Sequence, residues 1–379
     1  MRKILLILVL VVGLFAEDGY IPRVERDIGT YYSAILASDG KSFYTLKKDL
    51  VTHWQLNPIK KLDSFRTGIK PVDENKLGYN IHVTADKSKM VINSQDEIQL
   101  WDLKTKKQIK KLKVKTVWGL MDEETFITID ENRVITKYDT KTLKILQTKQ
   151  LKDPCDNWSD PYGNSCHSKP VFMIKSEDKL IYFSENYLLF LEKNSLDITK
   201  DIKTGVMGLS SMDYKTLYYI PMSKPQPSKM INIKNKKIDS IKSYDFISYS
   251  NKHYLLGSFR AKGLKISSYY KYLSLAATAY RPTPSSRRIL HYAFFDNKRE
   301  KPIATFLQFK DGEWILIDVD GYFEASSKKV KKYLTMRKHY KTYRRPNTTV
   351  LKNIFSDKGL KISDEIYKKY NKKINLKVK

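Results

Sequence analysis

The chain has 379 residues, and its 70 Lys and Arg exceed its 41 Asp and Glu, which gives a formal net charge of +29. Such a charge suggests nucleic-acid binding, because lysine and arginine clusters bind phosphates. About half of the excess, however, lies in residues 328–379, and the rest is spread over turns. We therefore predict no nucleic-acid partner and expect a weak attraction to an anionic lipid surface or an acidic protein.

The N-terminus has the pattern of a secretory signal peptide, assigned to residues 1–16. Two basic residues precede an uncharged apolar run from Ile4 to Phe15, and Ala16 is suited to signal peptidase. The run is too short for a membrane-spanning helix, which needs about 20 residues. We expect a periplasmic or secreted protein with a cleaved signal, and a retained anchor is the alternative.

The mature chain is predicted to be all-β, with one repeated domain over residues 17–326. Its 26 Tyr, 15 Phe and 5 Trp accompany many short runs of Ile, Val and Leu, a composition that favours strands. Residues 86–114 show the repeating unit of strand, turn, strand, polar turn and strand, and residues 124–151 repeat it. Trp101-Asp102 and Tyr138-Asp139 occupy the same place in the two copies.

Looser copies extend the repeat in both directions, over residues 40–65, 178–202 and 215–244. The equivalent central positions are predicted at Trp54, Trp101, Tyr138, Phe190 and Ile231. A repeat of roughly 40 to 45 residues with four short strands is typical of a β-propeller blade, which buries its faces by stacking in a ring. We predict a β-propeller of about seven blades, with six to eight as the range.

Cys155 and Cys166 lie in a loop rich in Pro, Gly, Asn, Asp and Ser. In an exported protein the two cysteines are predicted to form a disulfide that closes this loop. His167 directly follows Cys166 and raises covalent haem attachment as the alternative. The spacing between the cysteines is far longer than the Cys-x-x-Cys-His pattern that haem attachment uses.

A mixture of tyrosines, prolines and arginines occupies residues 267–288. It is interpreted as a strand followed by a long loop between blades. Tyr280, Arg281, Arg287 and Arg288 are the candidate interaction patch within it, because tyrosine and arginine are enriched at binding hot spots.

Residues 309–326 contain two Asp-Gly pairs and the acids Asp311, Glu313, Asp318 and Asp320. Asp-Gly favours tight hairpin turns, and the segment between the two pairs has the length and composition of one strand that includes Trp314. We predict a short meander in which Trp314 is a structural blade residue. A calcium loop is the alternative, but the required third ligand and closing glutamate are missing.

Residues 327–379 form a basic, partly helical C-terminal extension. Val330, Tyr333 and Leu334 fit one helical face, and a second helix is predicted after Ser363, with acids at its start and lysines at its end. We expect a solvated, partly frayed tail, and we predict that residues 328–379 contact an anionic membrane surface weakly.

The Trp101-Asp102 pair that ends a strand before a lysine-rich turn resembles the WD-repeat β-propellers. The segments DGEWILIDVDGYFEAS, KKYLTMR and YRRPN resemble the closing part of bacterial exported WD-repeat-like proteins. The resemblance covers about residues 40–355, although the Gly-His pair of such repeats is absent. It implies a propeller fold and a binding platform, because such propellers mostly serve as binding platforms, although the same architecture also hosts enzymes.

Catalytic and cofactor motifs are absent from the sequence. The six histidines are scattered singly, and no nucleophile elbow, phosphate loop or dinucleotide fingerprint occurs. We predict a non-enzymatic protein-interaction platform with a protein partner and without a metal or cofactor. Two alternatives remain, namely ligand binding or catalysis in the central funnel, and an accessory role in a periplasmic redox complex.

Overall fold

The structure is a computed structural model that describes a large part of the chain. The described residues are 20–24, 33–69, 80–94, 96–116, 118–121, 125–152, 170–175, 179–184, 187–203, 206–212, 216–221, 229–232, 238–240, 265–270, 273–280, 289–296, 301–318, 321–340, 354–355 and 360–376. Within these ranges 30 strands form seven antiparallel sheets, together with one 3₁₀ helix and one α-helix. The predicted mainly-β class is confirmed.

The first strand, β1 (Tyr20–Val24), pairs with a strand from the other end of the chain. Sheets 1 to 4 then follow, each a meander of four consecutive strands. Sheet 1 contains β2 (Ser33–Leu36), β3 (Ser42–Lys47), β4 (Leu50–Gln55) and β5 (Lys60–Arg66). Sheet 2 contains β6 (Asn80–Val83), β7 (Lys89–Asn93), β8 (Glu97–Asp102) and β9 (Lys107–Lys113).

Sheets 3 to 5 repeat the same order. Sheet 3 contains β10 (Trp118–Met121), β11 (Thr125–Ile129), β12 (Val134–Asp139) and β13 (Ile145–Gln150). Sheet 4 contains β14 (Pro170–Lys175), β15 (Lys179–Ser184), β16 (Tyr187–Glu192) and β17 (Ile198–Lys203). Sheet 5 contains β18 (Val206–Met212), β19 (Thr216–Pro221), β20 (Lys229–Asn232) and β21 (Ile238–Ser240).

Sheet 6 is a longer meander of six strands. It contains β22 (Lys265–Tyr270), β23 (Leu273–Tyr280), β24 (Ile289–Asp296), β25 (Lys301–Gln308), β26 (Trp314–Asp318) and β27 (Phe323–Ala325). The chain continues through a 3₁₀ helix (Lys328–Tyr333), β28 (Leu334–Tyr340), β29 (Ile354–Phe355), β30 (Leu360–Lys361) and the helix α1 (Asp364–Tyr370). The terminal sheet joins β28 to β1, β29 and β30.

Sheets 1 to 4 pack face to face in order, sheet 6 packs on sheet 1, and their alternating side chains build the described core. On β7, Met90 and Ile92 belong to the apolar cluster shared with sheet 1, whereas Val91 between them belongs to the cluster shared with sheet 3. Side chains alternate between the two faces of a strand, so this pattern lets a middle strand bury both faces. Burying one such side chain contributes roughly 1.5–3 kcal/mol.

The first strands of sheets 1 to 4 lie side by side, and the first strand of sheet 1 also lies against sheet 6. Strand β2 contacts β6, β6 contacts β10, and β10 contacts β14, while β2 also contacts β22 and β23 of sheet 6. A cluster that includes Phe43 and Trp54 of sheet 1 with Phe294 and Phe306 of sheet 6 fills the latter junction. The ammonium group of Lys47 donates a hydrogen bond of 2.6 Å to the Phe309 carbonyl across it.

The third and fourth strands of sheets 1 to 4 share a one-residue shift in register. Trp54, Trp101 and Tyr138 stand just after the shift, and each pairs with the residue seven positions later. In sheet 4 the corresponding residue is Leu191, which pairs with Ile198. The predicted central position Phe190 is therefore wrong by one residue. The predicted Ile231 does pair seven positions later, with Ile238.

The described part of the C-terminal extension is packed, so the expected solvated tail is wrong there. Ile362 and Tyr367 join a core cluster with the 3₁₀ helix and sheet 6. Ile374 and Leu376 are buried in the cluster between sheets 6 and 1, and the Leu376 N–H donates to the Asn57 side-chain oxygen at 3.0 Å. The first predicted helix is a 3₁₀ turn, and the second begins at Asp364 after the capping Ser363, as predicted.

Neither helix in the described ranges is long and apolar enough to cross a membrane. The predicted signal segment, residues 1–16, lies outside the described residues.

Candidate interaction surface

The acids of residues 309–326 hold local structure together. Asp311 accepts hydrogen bonds from the Tyr333 hydroxyl at 2.6 Å and from the Lys332 ammonium group at 3.0 Å. Partial burial alone would raise the pKa of Asp311, but these hydrogen bonds lower that pKa to about 2. Glu313 accepts hydrogen bonds from the hydroxyls of Ser326 and Ser327. These carboxylates anchor turns and the 3₁₀ helix, as a scaffold requires.

Asp318 completes the second turn of this stretch. Its carboxylate accepts a hydrogen bond of 2.8 Å from the Tyr322 N–H, and Gly321 has a φ of 85°, a conformation that glycine adopts readily. Asp320, which the calcium-loop alternative would use, lies outside the described residues. Elsewhere in the described ranges, no group of three or more His, Cys, Asp or Glu side chains could hold a metal ion.

The blade positions singled out in the sequence are structural in their contacts. Trp54 is fully buried and donates its indole N–H to the Thr45 hydroxyl at 2.9 Å. Trp314 begins β26, is half-buried, and lies edge-on to Trp54 with 6.4 Å between the ring centroids. Asp102 caps the turn after Trp101 by accepting hydrogen bonds from the Thr105 N–H and hydroxyl.

Other predicted sites cannot be located. Cys155 and Cys166, with His167 of the haem alternative, lie outside the described residues, as do Arg281, Arg287 and Arg288. Tyr280 ends β23, although its side chain also lies outside them. The disulfide and this patch remain predictions.

A surface that the sequence did not reveal lies on the outermost strands of sheets 1 to 3. The register shift leaves one extra residue on each fourth strand, and these extra residues are Leu62, Ile109 and Leu146. Their exposed fractions are 47%, 48% and 56%. Each fourth strand is the edge strand of its sheet, so its side chains remain open to solvent, and the paired residues Ile145 and Ile198 on the fourth strands of sheets 3 and 4 are exposed as well, at 64% and 43%.

Lysines surround these exposed aliphatic residues. We define the outer rim as residues 56–66, 102–115 and 139–152, which are the third turn and the fourth strand of sheets 1 to 3 with their flanking residues. The outer rim holds fourteen Lys and Arg but only three acids, Asp63, Asp102 and Asp139. It is therefore strongly basic.

The three acids of the outer rim are already engaged within the protein. Asp102 and Asp139 cap turns, the latter by accepting from the Thr142 N–H at 2.7 Å. Asp63 lies 3.5 Å from the Lys106 ammonium group and 3.6 Å from Nδ1 of His53. Burial lowers the pKa of His53, although the neighbouring Asp63 acts in the opposite direction.

Many outer-rim lysines are exposed and have no side-chain ion pair or hydrogen bond with any described residue. They include Lys60, Lys61, Lys104, Lys107, Lys113, Lys115, Lys141 and Lys144. Their charge is available to a partner.

Contacts between sheets make the outer rim continuous. Lys106 of sheet 2 reaches Asp63 of sheet 1, and Lys110 of sheet 2 donates a hydrogen bond of 3.2 Å to the Thr142 carbonyl of sheet 3. Gln147 of sheet 3 in turn donates to the Ser195 carbonyl of sheet 4 at 3.1 Å. Each turn thus lies against the fourth strand of the preceding sheet.

Sheet 6 has the same bulge, but the protein itself covers it. Ile303 is the extra residue there, because Phe295 pairs with Pro302 and Phe294 pairs with Ala304. Strand β26 pairs alongside β25, and the half-buried Ile303 packs against the cluster that includes Ile374 and Leu376. The position that is exposed in sheets 1 to 3 is therefore covered by polypeptide in sheet 6.

No family model and no curated protein matches the chain. Among solved structures, the chain is similar to the crystal structure of the Cps50 (Swd1) beta-propeller domain of Myceliophteria thermophila. The two are 9% identical with a TM-score of 0.48, over 77% of this chain and 97% of that one.

Proposed function

We propose that the protein is an exported, non-enzymatic β-propeller of about seven four-stranded blades that serves as a protein-interaction platform. Support for the ring comes from the four-stranded meanders, from the first strands of sheets 1 to 4, which lie side by side, and from the contacts between sheets 6 and 1. The number of blades and the closure of the ring are part of the proposal. So are the cleaved signal peptide, the periplasmic or secreted location, the disulfide and the WD-repeat kinship.

The observation that carries the platform function is the repeated exposure of Leu62, Ile109 and Leu146 at equivalent positions of consecutive sheets. Single exposed aliphatic residues are ordinary on protein surfaces. Three of them in one structural position, on adjoining sheets of a basic rim, form a recurring surface that suits a binding partner. The carboxylates described above serve turns and helices, and the proposal assigns none of them to catalysis.

Size-exclusion chromatography of envelope extracts tests this function. The 44.4 kDa chain should elute in a complex larger than the monomer. The triple variant Leu62→Ser, Ile109→Ser and Leu146→Ser should elute as a monomer with an unchanged melting temperature, because exposed substitutions usually change stability by less than ~0.5 kcal/mol. Monomeric elution of the wild-type protein would contradict the platform, as would a complex that survives in the triple variant.

The predicted weak contact of residues 328–379 with an anionic membrane surface belongs to the same proposal. Lys368 and Lys369 on α1 are exposed and suit it. Lys331 and Lys332 are paired with Asp364 and Asp311, so their charge is partly used inside the protein.

A further inference from the structure

We propose that the outer rim binds an acidic polypeptide segment that carries large aliphatic side chains and belongs to a partner protein. This inference rests on the platform function and specifies the partner chemistry at its surface.

The bulge of sheet 6 indicates that the occupant is a polypeptide. Ile303 packs in a cluster with the C-terminal residues Ile374 and Leu376, and β26 pairs along the adjacent strand. In that C-terminal segment, apolar residues at alternate positions face the core while Asn375 between them is exposed. The C-terminal segment thus contributes alternate aliphatic residues to the cluster against which the extra residue of this bulge packs, and the extra residues of the bulges in sheets 1 to 3 are exposed.

The charge of the outer rim indicates that this polypeptide is acidic. The C-terminal segment itself is basic, and at sheet 6 it meets an acid, because the Ile374 N–H donates to the Glu324 carboxylate at 2.9 Å. The outer rim instead presents fourteen basic residues, of which Arg66, Lys111 and Lys149 pair with acids outside the rim, and the three acids within the rim are engaged. Glutamates and aspartates that flank aliphatic residues would pair with the free lysines and let the aliphatic side chains cover the bulges.

A second copy of the chain does not fit this surface. Two outer rims brought together would place lysines opposite lysines, which disfavours association. Pairing of the bare strand edges is also disfavoured, because bulges and lysines on an edge strand oppose the addition of another strand. An acidic partner that binds through its side chains avoids both the repulsion between lysines and the pairing of strand edges.

Photo-crosslinking in the producing cells tests the inference. The photoreactive amino acid p-benzoyl-phenylalanine replaces Leu62, Ile109 or Leu146, one at a time, and the crosslinked peptide is identified by mass spectrometry. Thr199 is the matched control, because it is the exposed extra residue of the bulge in sheet 4, where residues 192–203 hold three basic and three acidic residues. We expect protein adducts at all three aliphatic positions, with a net negative crosslinked peptide, and at least fivefold less adduct at Thr199.

The dependence of the crosslinking yield on charge is measured with the photoreactive residue in place of Ile109. Lys104→Glu with Lys107→Glu should reduce the adduct about tenfold, whereas Lys104→Arg with Lys107→Arg should preserve it. Crosslinking in envelope extracts at 1 M salt should also reduce it, since the Debye length falls to about 3 Å.

The outcomes separate this inference from the platform function. Protein adducts whose crosslinked peptides are neutral or basic would overturn the acidic partner and leave the platform standing. Adducts with the mass of a phospholipid, adducts only between copies of this chain, or no adduct at any of the three positions would overturn both proposals.

Discussion

At the scale of single residues, carboxylates in this protein mainly stabilise turns. Asp102, Asp139 and Asp318 each accept a backbone N–H at the end of a strand, and Asp311 also binds the 3₁₀ helix. The Asp-Gly pairs allowed the scaffold role of residues 309–326 to be predicted, because their backbone preference is local. The partners of Asp311 could not be predicted, since Lys332 and Tyr333 approach it only after the chain has folded back.

Asp311 should give the stability of the protein a pH dependence. Its pKa is about 2 in the folded protein and 3.8 for an ordinary aspartate, so the unfolded state binds the proton first as the pH falls. The stabilisation by this carboxylate is therefore complete above pH ~4 and is lost as the pH falls towards 2. Asp311→Asn should lower the urea midpoint at pH 7 and flatten the decline between pH 4 and pH 2.

The control for this prediction is a carboxylate with the same pKa whose hydrogen bonds all lie within its own turn. Asp86 also has a pKa of about 2, from hydrogen bonds within its own turn to Thr84 and Ser88. Asp86→Asn should leave intact the hydrogen bonds by which Asp311 joins sheet 6 to Lys332 and Tyr333 of the 3₁₀ helix. Identical pH profiles for wild type and Asp311→Asn would show that the Tyr333 and Lys332 contacts contribute no stability.

The two tryptophans Trp54 and Trp314 should differ in their contributions to stability. Trp54 is fully buried with a satisfied indole N–H, so Trp54→Ala should cost about 3–5 kcal/mol. Trp314 is half-buried, and Trp314→Ala should cost about half as much by loss of apolar area. Equilibrium urea unfolding measures both values, and a larger loss for Trp314→Ala would contradict the burial difference.

At the scale of elements, alternation and turn residues are sufficient to predict most strands. The copies over residues 40–65, 86–114 and 124–151 correspond to the second, third and fourth strands of sheets 1 to 3. The first strands of these sheets were not located, because segments such as Asn80–Val83 and Trp118–Met121 are four residues long and carry too little pattern. Their positions depend on neighbouring sheets.

The register of sheet 4 shows a second limit of sequence analysis. The central position was predicted at Phe190, and the structure places Leu191 there. Both residues are fully buried in a continuous apolar run, so the sequence contains no alternation from which the register could be read. The bulge that fixes it arises from pairing with β17.

The helix α1 should stabilise the protein although it lies in a lysine-rich segment. Tyr367 is buried against Phe323, and its hydroxyl donates to the Ser327 carbonyl at 3.2 Å. Tyr367→Ala should cost about 3 kcal/mol, whereas Lys368→Ala on the exposed face should cost less than about 0.5 kcal/mol. Thermal unfolding of the two variants compares them, and equal melting temperatures would contradict the packed tail.

At the scale of the whole molecule, positive charge is distributed between the outer rim and the C-terminal extension. The tail was predicted to contact an anionic surface because its lysines dominate the sequence there. Its burial could not be predicted, since Ile374 and Leu376 stand on either side of one polar residue in a lysine-rich sequence and their partners belong to sheets 6 and 1. Deleting the tail would therefore remove core residues as well as charge.

Point substitutions test the contributions of the two charged regions to lipid binding separately, without loss of the fold. If the tail contacts anionic lipid, Lys368→Gln with Lys369→Gln should reduce sedimentation with phosphatidylglycerol vesicles, and 1 M salt should abolish it. Lys104→Gln with Lys107→Gln removes the same charge from the outer rim and should have less effect. Binding that is unchanged in the tail variant, or equal with neutral phosphatidylcholine vesicles, would contradict the predicted contact.

The pairing of β1 with β28 has a consequence for how the chain folds. Tyr20 pairs with Lys338, so β1 finds its neighbour only after the chain of the six sheets that follow it has been made. Closing so long a loop carries an entropic cost that no local contact offsets, and pairings between distant segments form slowly. Sheets 1 to 5, made of consecutive strands, can form as the chain emerges, whereas β1 must wait. Strand β1 is thus among the last of the described strands to become ordered.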